Sequence, residues 1–314
     1  ERNLSQKQVD SWQAVYEEEY DVATLPSQDE EFDIRGWDDS LTGRAIGVEA
    51  MREWLNDITS QILSGPHNSV LEIGCGAGLI YYQIQSHLQR YVGTDFSNTG
   101  ISRIKKKILS AEKKYPETLL KVCPAHEVDQ LHAEQVDVVM LNSVVQYFPS
   151  EEYLTEVLEK SLCLLKESGR IIIGDVRDLR QLSSHLGRMY LNQVADEVDM
   201  KTFAWNLCQA LSKEEELCLS PQYFYNLQKR HKKISHVDIR WKDCDFENEL
   251  SLYRYTVTLH VGCKDEIKLK PHWISWNSLL DQREIINTLS KGRDVIAIAG
   301  VPNPLLHVDG NLLR

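Results

Sequence analysis

The 314-residue chain is 42% hydrophobic and 26% charged, the composition of an ordinary globular protein. Its formal net charge of −12 argues against a nucleic-acid backbone or an anionic membrane surface as the main partner. No apolar run approaches the roughly 20 residues that span a bilayer, and the N-terminus lacks a signal-peptide pattern. The seven cysteines form no CxxC pair, so we expect a reducing, cytoplasmic setting without a disulfide framework or a zinc site.

The N-terminal part predicts two helices separated by an irregular stretch. Residues 5–20 have an amphipathic pattern with Trp12 on the apolar face, and an acidic segment follows. A second helix is predicted at about 47–63, before "SGPHNS" breaks the chain. We predict that residues 1–66 form a helical lid. Because the chain opens on Glu1, the sequence indicates a segment of a longer polypeptide.

Strands and helices alternate through the next hundred residues. Apolar strands are predicted at about 69–73, 90–95, 119–123, 136–142 and 170–176. Helical segments are predicted between them at about 78–89, 98–112 and 150–166. Continuous apolar strands separated by helices are typical of a parallel sheet that is covered on both faces. The prediction is therefore a doubly wound, Rossmann-like α/β fold.

The pattern changes after Asp175. Residues 178–230 predict a helical insertion, and "SHVDIRW" and "YRYTVTLHVG" predict an antiparallel pair that closes the sheet edge. Together these segments give a mostly parallel sheet of seven strands, with the core domain at 67–265. Residues 266–314 predict a C-terminal extension with a helix near 278–290, the strand "DVIAIAG" and the turn-rich "VPNPLL".

A glycine-rich turn follows the first predicted strand in "VLEIGCGAGL". Gly74, Gly76 and Gly78 have the spacing GxGxG, whereas a dinucleotide site has GxGxxG. Glu72 lies just before the turn, where a carboxylate would be costly beside a phosphate. It suits a ligand with a cationic amino-acid end, such as the methionine part of S-adenosylmethionine.

The following predicted strands also end in polar residues. Asp95, followed by Phe96, ends the second strand, where a carboxylate can accept hydrogen bonds from two ribose hydroxyls. Ala125 and His126 follow the third strand, along the expected adenine edge. Asn142 and Ser143 end the fourth strand, beside the expected donor methyl group. This order along successive strand ends indicates an S-adenosylmethionine site.

Four segments, "VLEIGCGAGL", "RYVGTDFS", "DVVMLNSVVQYFPS" and "GRIIIGDVRDL", resemble class I methyltransferases. More narrowly, they resemble the methyltransferase domains of nonribosomal peptide synthetases and polyketide synthases, as do flanking segments such as "SWQAVYEEEY" and "NELSLYRYTVTLHV". The resemblance implies S-adenosylmethionine as cofactor, with S-adenosylhomocysteine as product. It also implies an acyl or peptidyl carrier protein with a phosphopantetheine-linked substrate, neighbouring synthase domains, and a monomeric isolated domain.

The methyl acceptor is less well indicated. N-methylating domains more often read GWNSSYTG where this chain reads "GWDDSLTG". Gln146 lies where carbon-methylating domains tend to have His. We therefore expect O-methylation of a carrier-tethered intermediate. N-methylation of an aminoacyl or peptidyl thioester, a free-standing small-molecule methyltransferase and a non-catalytic binding domain are the alternatives.

An alcohol acceptor needs a base, and the sequence offers His185, with Glu249 orienting the imidazole or binding the substrate. The competing interpretations are a surface or capping histidine and a solvated glutamate. Metal ligands are not clustered, so we expect metal independence. The side chains expected to line the substrate pocket are Trp37, Gln146, Tyr147, Asp175 and Asn248.

Overall fold

The computed structural model describes residues 9, 11–17, 31–110, 115–131, 134–194, 198–262, 271–276, 283, 286–287, 290 and 295–301. The chain divides into two compact units, Glu1–Cys263 and Lys264–Arg314. Within the described ranges, no helix has both the length and the apolar character that crossing a membrane requires.

Seven strands form the main sheet of the first unit: β1 Ser69–Ile73, β2 Arg90–Asp95, β3 Glu117–Val122, β4 Val136–Asn142, β5 Leu165–Arg177, β6 Ile234–Trp241 and β7 Arg254–Val261. Their order across the sheet is β3-β2-β1-β4-β5-β7-β6. Neighbouring strands are parallel, except that β7 runs antiparallel to β5 and β6. The predicted doubly wound, mostly parallel sheet is confirmed.

The helices of this unit are α1 Val48–Leu63, α2 Leu79–Ile84, α3 Asn98–Ser110, α4 Glu151–Leu164, α5 Leu182–Gln193, α6 Met200–Ser212, α7 Pro221–Arg230 and α8 Glu249–Leu252. Residues 9 and 11–17 are also helical. Short 3-10 turns occur at Gln85–His87, Ala125–Leu131, Val145–Tyr147 and Leu179–Gln181. Helices α5, α6 and α7 lie within the predicted helical insertion.

Each face of the sheet is buried under helices, because alternate strand residues point to opposite faces. Leu71 of β1 belongs to a core layer with Leu158 of α4 and with α7. Val70, the next residue along β1, belongs to the opposite layer with Ile58 of α1 and with α2 and α3. Burying one such side chain contributes roughly 1.5–3 kcal/mol. Helix α1, which the sequence analysis assigned to the lid, is therefore part of the core.

The second unit contains the parallel pair β8 His272–Ser275 and β9 Ile296–Ala299. Strand β9 confirms the prediction made from "DVIAIAG", whereas β8 was not anticipated. Much of the predicted helix near 278–290, and the turn-rich segment from residue 302 onward, lie outside the described residues.

Candidate active site

A cavity of about 870 Å³ lies along the edge where the parallel strands of the main sheet end. The strand order reverses between β1 and β4, and doubly wound sheets bind ligands at such a point. Following the sheet order, the wall contains Asp95 at β2, Gly74 after β1, Asn142 at β4 and Arg254 at β7. Arg254 reaches this edge from the amino end of its strand, because β7 is antiparallel.

The cavity therefore has two ends. The glycine-loop end comprises Glu72, Gly74, Gly76 and Asp95, and the Arg254 end comprises Glu216, Glu249 and Arg254. Asn142, the last residue of β4, and the following Ser143 lie between the two ends, because β4 lies between β1 and β5 in the sheet.

The glycine loop needs its glycines for conformational and steric reasons. Gly74, Gly76 and Gly78 have φ values of 79°, 51° and 90°, in the left-handed region that favours glycine. A Cβ atom on Gly74 would lie 2.3 Å from Cγ2 of Val144. The Gly74 N–H donates to the Thr94 carbonyl at 2.7 Å, which ties the loop to β2. The loop thus exposes backbone to the cavity at close range.

Asp95 joins this loop to the end of β2. Its Oδ2 accepts a hydrogen bond from the Gly76 N–H, and its Oδ1 accepts one from the Ser97 N–H, both at 2.8 Å. Each carboxylate oxygen has two lone-pair positions, so each can accept a second hydrogen bond. Burial raises the pKa of Asp95 to about 6. The carboxylate is thus oriented for a pair of hydroxyl donors.

Glu72 is buried in the wall, and its Oε2 accepts a hydrogen bond from the Tyr91 hydroxyl at 2.5 Å. Burial raises the pKa of Glu72 to about 8. The hydrogen bond from Tyr91 opposes this rise, and the negative charge of Asp95 adds to it. A cationic group in the cavity would favour its ionised form, since an opposite charge nearby lowers a carboxyl pKa. Glu72 therefore suits a ligand that carries an ammonium group.

The remaining residues predicted to bind the cofactor divide into two groups. Phe96, Ala125, Asn142 and Ser143 line the cavity. His126 is not among the lining residues, and its Nδ1 is 2.9 Å from the hydroxyl of Tyr153, a residue of α4 that does line the cavity. The place of His126 along the adenine edge remains a prediction.

Aromatic side chains cover the cavity. Trp37 packs on Trp54 of α1 with ring centroids 4.7 Å apart, and Tyr147 packs on Trp12 at 4.6 Å. Trp12 belongs to the N-terminal helical segment. Trp37, Gln146 and Tyr147 all line the wall, where the sequence analysis expected substrate contacts. These contacts bring the helical segment and α1 to the same site and restrict the access of water.

Asp175, which was predicted to lie in the substrate pocket, is buried beneath the residues that line the cavity. It is fully buried, 2.6 Å from Lys242 Nζ, and it accepts hydrogen bonds from Trp54 Nε1 at 2.9 Å and from the Ser143 hydroxyl. Burial opposes ionisation, but Lys242 holds the pKa of Asp175 below its usual value. Both Asp175 and Ser143 have positive φ, at 59° and 55°, a strain that clusters at functional sites. Asp175 thus supports Ser143 and Trp54.

Asn248, which was also predicted to contact the substrate, caps a short helix in the structure. Its Oδ1 accepts hydrogen bonds from Leu250 N at 2.9 Å and Ser251 N at 3.2 Å, and Ser251 Oγ accepts one from Asn248 N. This capping box satisfies backbone donors at the start of α8. Asn248 fixes the position of the next residue, Glu249.

The predicted catalytic pair is close in space, with 3.9 Å between His185 Nε2 and Glu249 Oε2. Only Glu249 lines the cavity. His185 lies behind the wall, stacked on Tyr253, with Nε2 2.9 Å from Ser40 Oγ. Burial lowers the pKa of His185 to about 4. A general base needs to reach the proton and to have a pKa near the working pH, and neither the position nor the lowered pKa of His185 favours direct proton abstraction.

The Arg254 end contains two residues that the sequence analysis missed. Arg254 donates a hydrogen bond to Glu249, while Glu216 reaches the wall from the loop before α7. Burial alone would raise the pKa of Glu249, but Arg254 and Ser40 hold it below its usual value. Glu216 belongs to "KEEEL", a charge run that normally indicates a solvated face. An arginine in the apolar strand "YRYTVTLHV" was the available signal for Arg254.

Within the described part of the chain, no group of three or more His, Cys, Asp or Glu side chains is arranged to hold a metal ion. The polar groups of the cavity are backbone amides with the carboxyl groups of Glu72 and Asp95 at one end, and the ion-paired side chains of Glu249 and Arg254 at the other.

A family model described as "Methyltransferase domain" matches residues 64–233, more than half of the chain. The chain belongs to this methyltransferase family. The match covers β1 to β5 and the whole helical insertion. It confirms the predicted class I methyltransferase and the predicted enzyme activity.

The methyltransferase domain is similar to segments of much longer proteins. The probable non-canonical nonribosomal peptide synthetase CymA of Salinispora arenicola is 32% identical over 300 residues, which are 95% of this chain and 4% of that protein. The beauvericin nonribosomal cyclodepsipeptide synthetase of Gibberella fujikuroi is 29% identical over 313 residues, 96% of this chain and 10% of that protein. The predicted resemblance to peptide-synthetase methyltransferase domains is confirmed.

Among solved structures, the magnesium protoporphyrin IX methyltransferase of Synechocystis PCC 6803 with bound S-adenosylhomocysteine has a TM-score of 0.47 and 10% identity. The likeness covers 68% of this chain and 84% of that one.

The methyltransferase domain uses S-adenosylmethionine as its methyl donor, as the sequence analysis predicted. The glycine-loop end fits this donor in three respects. Its glycines allow close approach of the backbone, Asp95 has acceptor positions for the two ribose hydroxyls, and the buried Glu72 suits the ammonium group.

Proposed function

We propose that this domain methylates the amino group of an aminoacyl or peptidyl thioester within a nonribosomal peptide synthetase. The acceptor would be held on a carrier protein, with the other synthetase domains as neighbours. The proposal is supported by relatives that are named as peptide synthetases, whose building blocks present amino groups. It departs from the O-methylation expected first from the sequence.

The position of His185 is the observation that supports nitrogen over oxygen. An alcohol becomes a useful nucleophile only when a base removes its proton. General-base catalysis of this kind raises the reaction rate by about 10²–10⁴-fold. His185, the base expected from the sequence, lies behind the wall with a lowered pKa, and Arg254 weakens Glu249 as a base. An α-amino group, with a pKa of about 7.7–8.0, is neutral often enough to react without such help.

The remaining residues would act by positioning and by excluding water. The donor supplies an activated methyl group on its sulfonium sulfur. Trp37, Trp54, Trp12 and Tyr147 pack over the cavity, and this apolar cover keeps water away from the reacting groups. Gln146 donates a hydrogen bond to the Ser143 carbonyl at 3.1 Å, which fixes its amide in the wall. Orientation of this kind can supply a large part of a rate enhancement.

A pair of matched acceptors tests the proposal. The domain is incubated with S-adenosylmethionine and N-acetylcysteamine thioesters of an amino acid and of the 2-hydroxy acid with the same side chain. We expect the mass of one added methylene on the amino acid thioester alone, and fragmentation should locate it on nitrogen.

Methylation of only the hydroxy acid thioester would overturn the proposal and support O-methylation, the reaction expected from the sequence. The free amino acid is tested in the same way, and its methylation at an equal rate would favour a free-standing enzyme. Replacing the small thioester with a loaded carrier protein should lower KM if the carrier is the physiological partner.

A further inference from the structure

Two arginines organise the charges at the Arg254 end. Arg177 of β5 donates two hydrogen bonds to Glu214, from Nη1 to Oε1 at 2.8 Å and from Nη2 to Oε2 at 3.0 Å. Arg254 of the adjacent strand β7 donates to Glu249. Arg177 and Arg254 are directly opposite in the β5–β7 register. Each arginine therefore has one carboxylate that it binds by hydrogen bonds.

Glu216 is a third carboxylate in this network and is bound differently. Its Oε2 is 3.0 Å from Arg177 Nη1, so the two charges are in contact. The hydrogen bonds of Arg177 are directed to Glu214, and no described group donates one to the Glu216 carboxylate. The Glu216 side chain is 30% exposed, against 16% for Glu214, and it lines the cavity. Glu216 therefore has acceptor capacity on the cavity side.

The charges of the network do not balance. Arg177 and Arg254 contribute two positive charges, whereas Glu214, Glu216 and Glu249 contribute three negative ones. The nearby His185 is neutral near pH 7, since its pKa is lowered to about 4. A partly buried carboxylate without a full partner is costly, and a cationic ligand group would offset that cost.

We propose that Glu216 binds the amino group of the methyl acceptor and gives the domain its preference for amines. This inference rests on the proposed N-methylation. The ammonium form would donate an N–H to the Glu216 carboxylate, while Arg177 holds that carboxylate at the wall. Methyl transfer requires the neutral amine, so the bound ammonium first passes one proton to the Glu216 carboxylate, and the freed nitrogen lone pair is then available to the methyl group. A hydroxyl could also donate one hydrogen bond, but it brings no positive charge to the network. Glu216 thus selects by charge as well as by hydrogen bonding.

The surroundings of Glu216 agree with this role. Burial raises the pKa of Glu216 above its usual value, with Glu214 and Glu249 adding to the effect while Arg177 and Arg254 oppose it. Tyr147, which packs against Trp12 in the cavity cover, also lies within electrostatic range of Glu216. An ammonium placed at Glu216 would therefore lie under the aromatic cover.

The variant Glu216→Gln tests the inference, because it removes the charge and keeps the shape. Arg177 retains both hydrogen bonds to Glu214, so the fold should survive. With the aminoacyl thioester we expect KM to rise about 10- to 100-fold, the range for losing a hydrogen bond to a charged group. The affinity for S-adenosylhomocysteine, measured by calorimetry, should stay unchanged, which separates acceptor binding from misfolding.

Glu215→Gln is the matched control. It makes the same charge change at the neighbouring residue, which is exposed and outside the cavity wall, and it should behave as the wild type. Glu216→Asp retains the charge with a shorter reach, so its KM should lie between those of the wild type and Glu216→Gln.

An unchanged KM for Glu216→Gln, in an enzyme that methylates the amine, would overturn the role of Glu216 and leave N-methylation intact. If the wild type methylates only the hydroxy acid thioester, the proposed function itself fails. Equal KM increases in Glu215→Gln and Glu216→Gln would show a general effect of charge and would also overturn the assignment.

Discussion

The glycine-loop end of the cavity is built within one segment of the chain, whereas the Arg254 end is assembled from charged side chains of distant segments. At the first, Gly74 and Gly76 with the end of β2 lie within one continuous strand–turn–helix–strand segment. At the second, Glu216, Glu249 and Arg254 come from a loop, a short helix and an antiparallel strand. A site formed within one local segment suits a donor that never changes, and a site assembled from distant side chains can be altered for different acceptors without disturbing the donor.

Asp95→Ala should have the largest effect and should affect only the donor. Two hydrogen bonds to a charged carboxylate are lost, so the affinity for S-adenosylhomocysteine should fall by about 100-fold or more in calorimetry. Glu216→Gln, at the other end, should leave this affinity unchanged. Equal losses in the two variants would contradict the separation of the two ends.

Gly74→Ala should destabilise the fold by about 2–4 kcal/mol in chemical denaturation. The left-handed φ accounts for roughly 1–2 kcal/mol, and the contact with Val144 adds the rest by overpacking. Gly43→Ala is the matched control, because Gly43 has φ of 64° but no atom within 4 Å of the added Cβ. Gly43→Ala should therefore show only the destabilisation that comes from the left-handed backbone conformation. Similar losses of stability in both variants would mean that the Val144 side chain moves away from the added Cβ atom at little energetic cost.

The contributions of Glu72, at the glycine-loop end, and of His185, behind the Arg254 end, to the free energy of unfolding should change with pH in opposite directions. The pKa of Glu72 rises from 4.5 unfolded to about 8 folded, so the folded state holds the proton more tightly and stability falls as pH increases between these values. The pKa of His185 falls from 6.5 to about 4, so its contribution to stability is present above pH 6.5 and is lost as pH decreases toward 4.

Denaturation of two variants across this pH range separates these effects. Glu72→Gln should reduce the loss of unfolding free energy that the wild type shows as pH rises above 5. His185→Gln should reduce the loss that the wild type shows as pH falls below 6.5. Each difference should be on the order of 2 kcal/mol. A Glu72→Gln curve parallel to the wild type would show that this carboxyl ionises in the fold as readily as in the unfolded chain.

The sequence predicted the local features of the candidate site more directly than the contacts of its polar side chains. Strand ends and turns were predicted well, because apolar periodicity and glycine spacing act over a few neighbouring residues. His126 and Asp175 were expected to line the cavity because they lie near strand ends. Their side chains instead meet Tyr153 and Lys242, partners distant in the chain. Position along a strand does not determine which partner a polar side chain meets.

Local sequence patterns were enough to predict the alternating α/β order, the glycine turn and the aspartate at the end of β2, and from these the class of donor. These features depend on local backbone preferences and on the shared edge of parallel strands. The position of His185 behind the wall and the contact of Glu216 with Arg177 beside the cavity became visible only in the folded chain. Ion pairs between distant segments depend on how loops and insertions pack, and no local pattern in the chain encodes that packing.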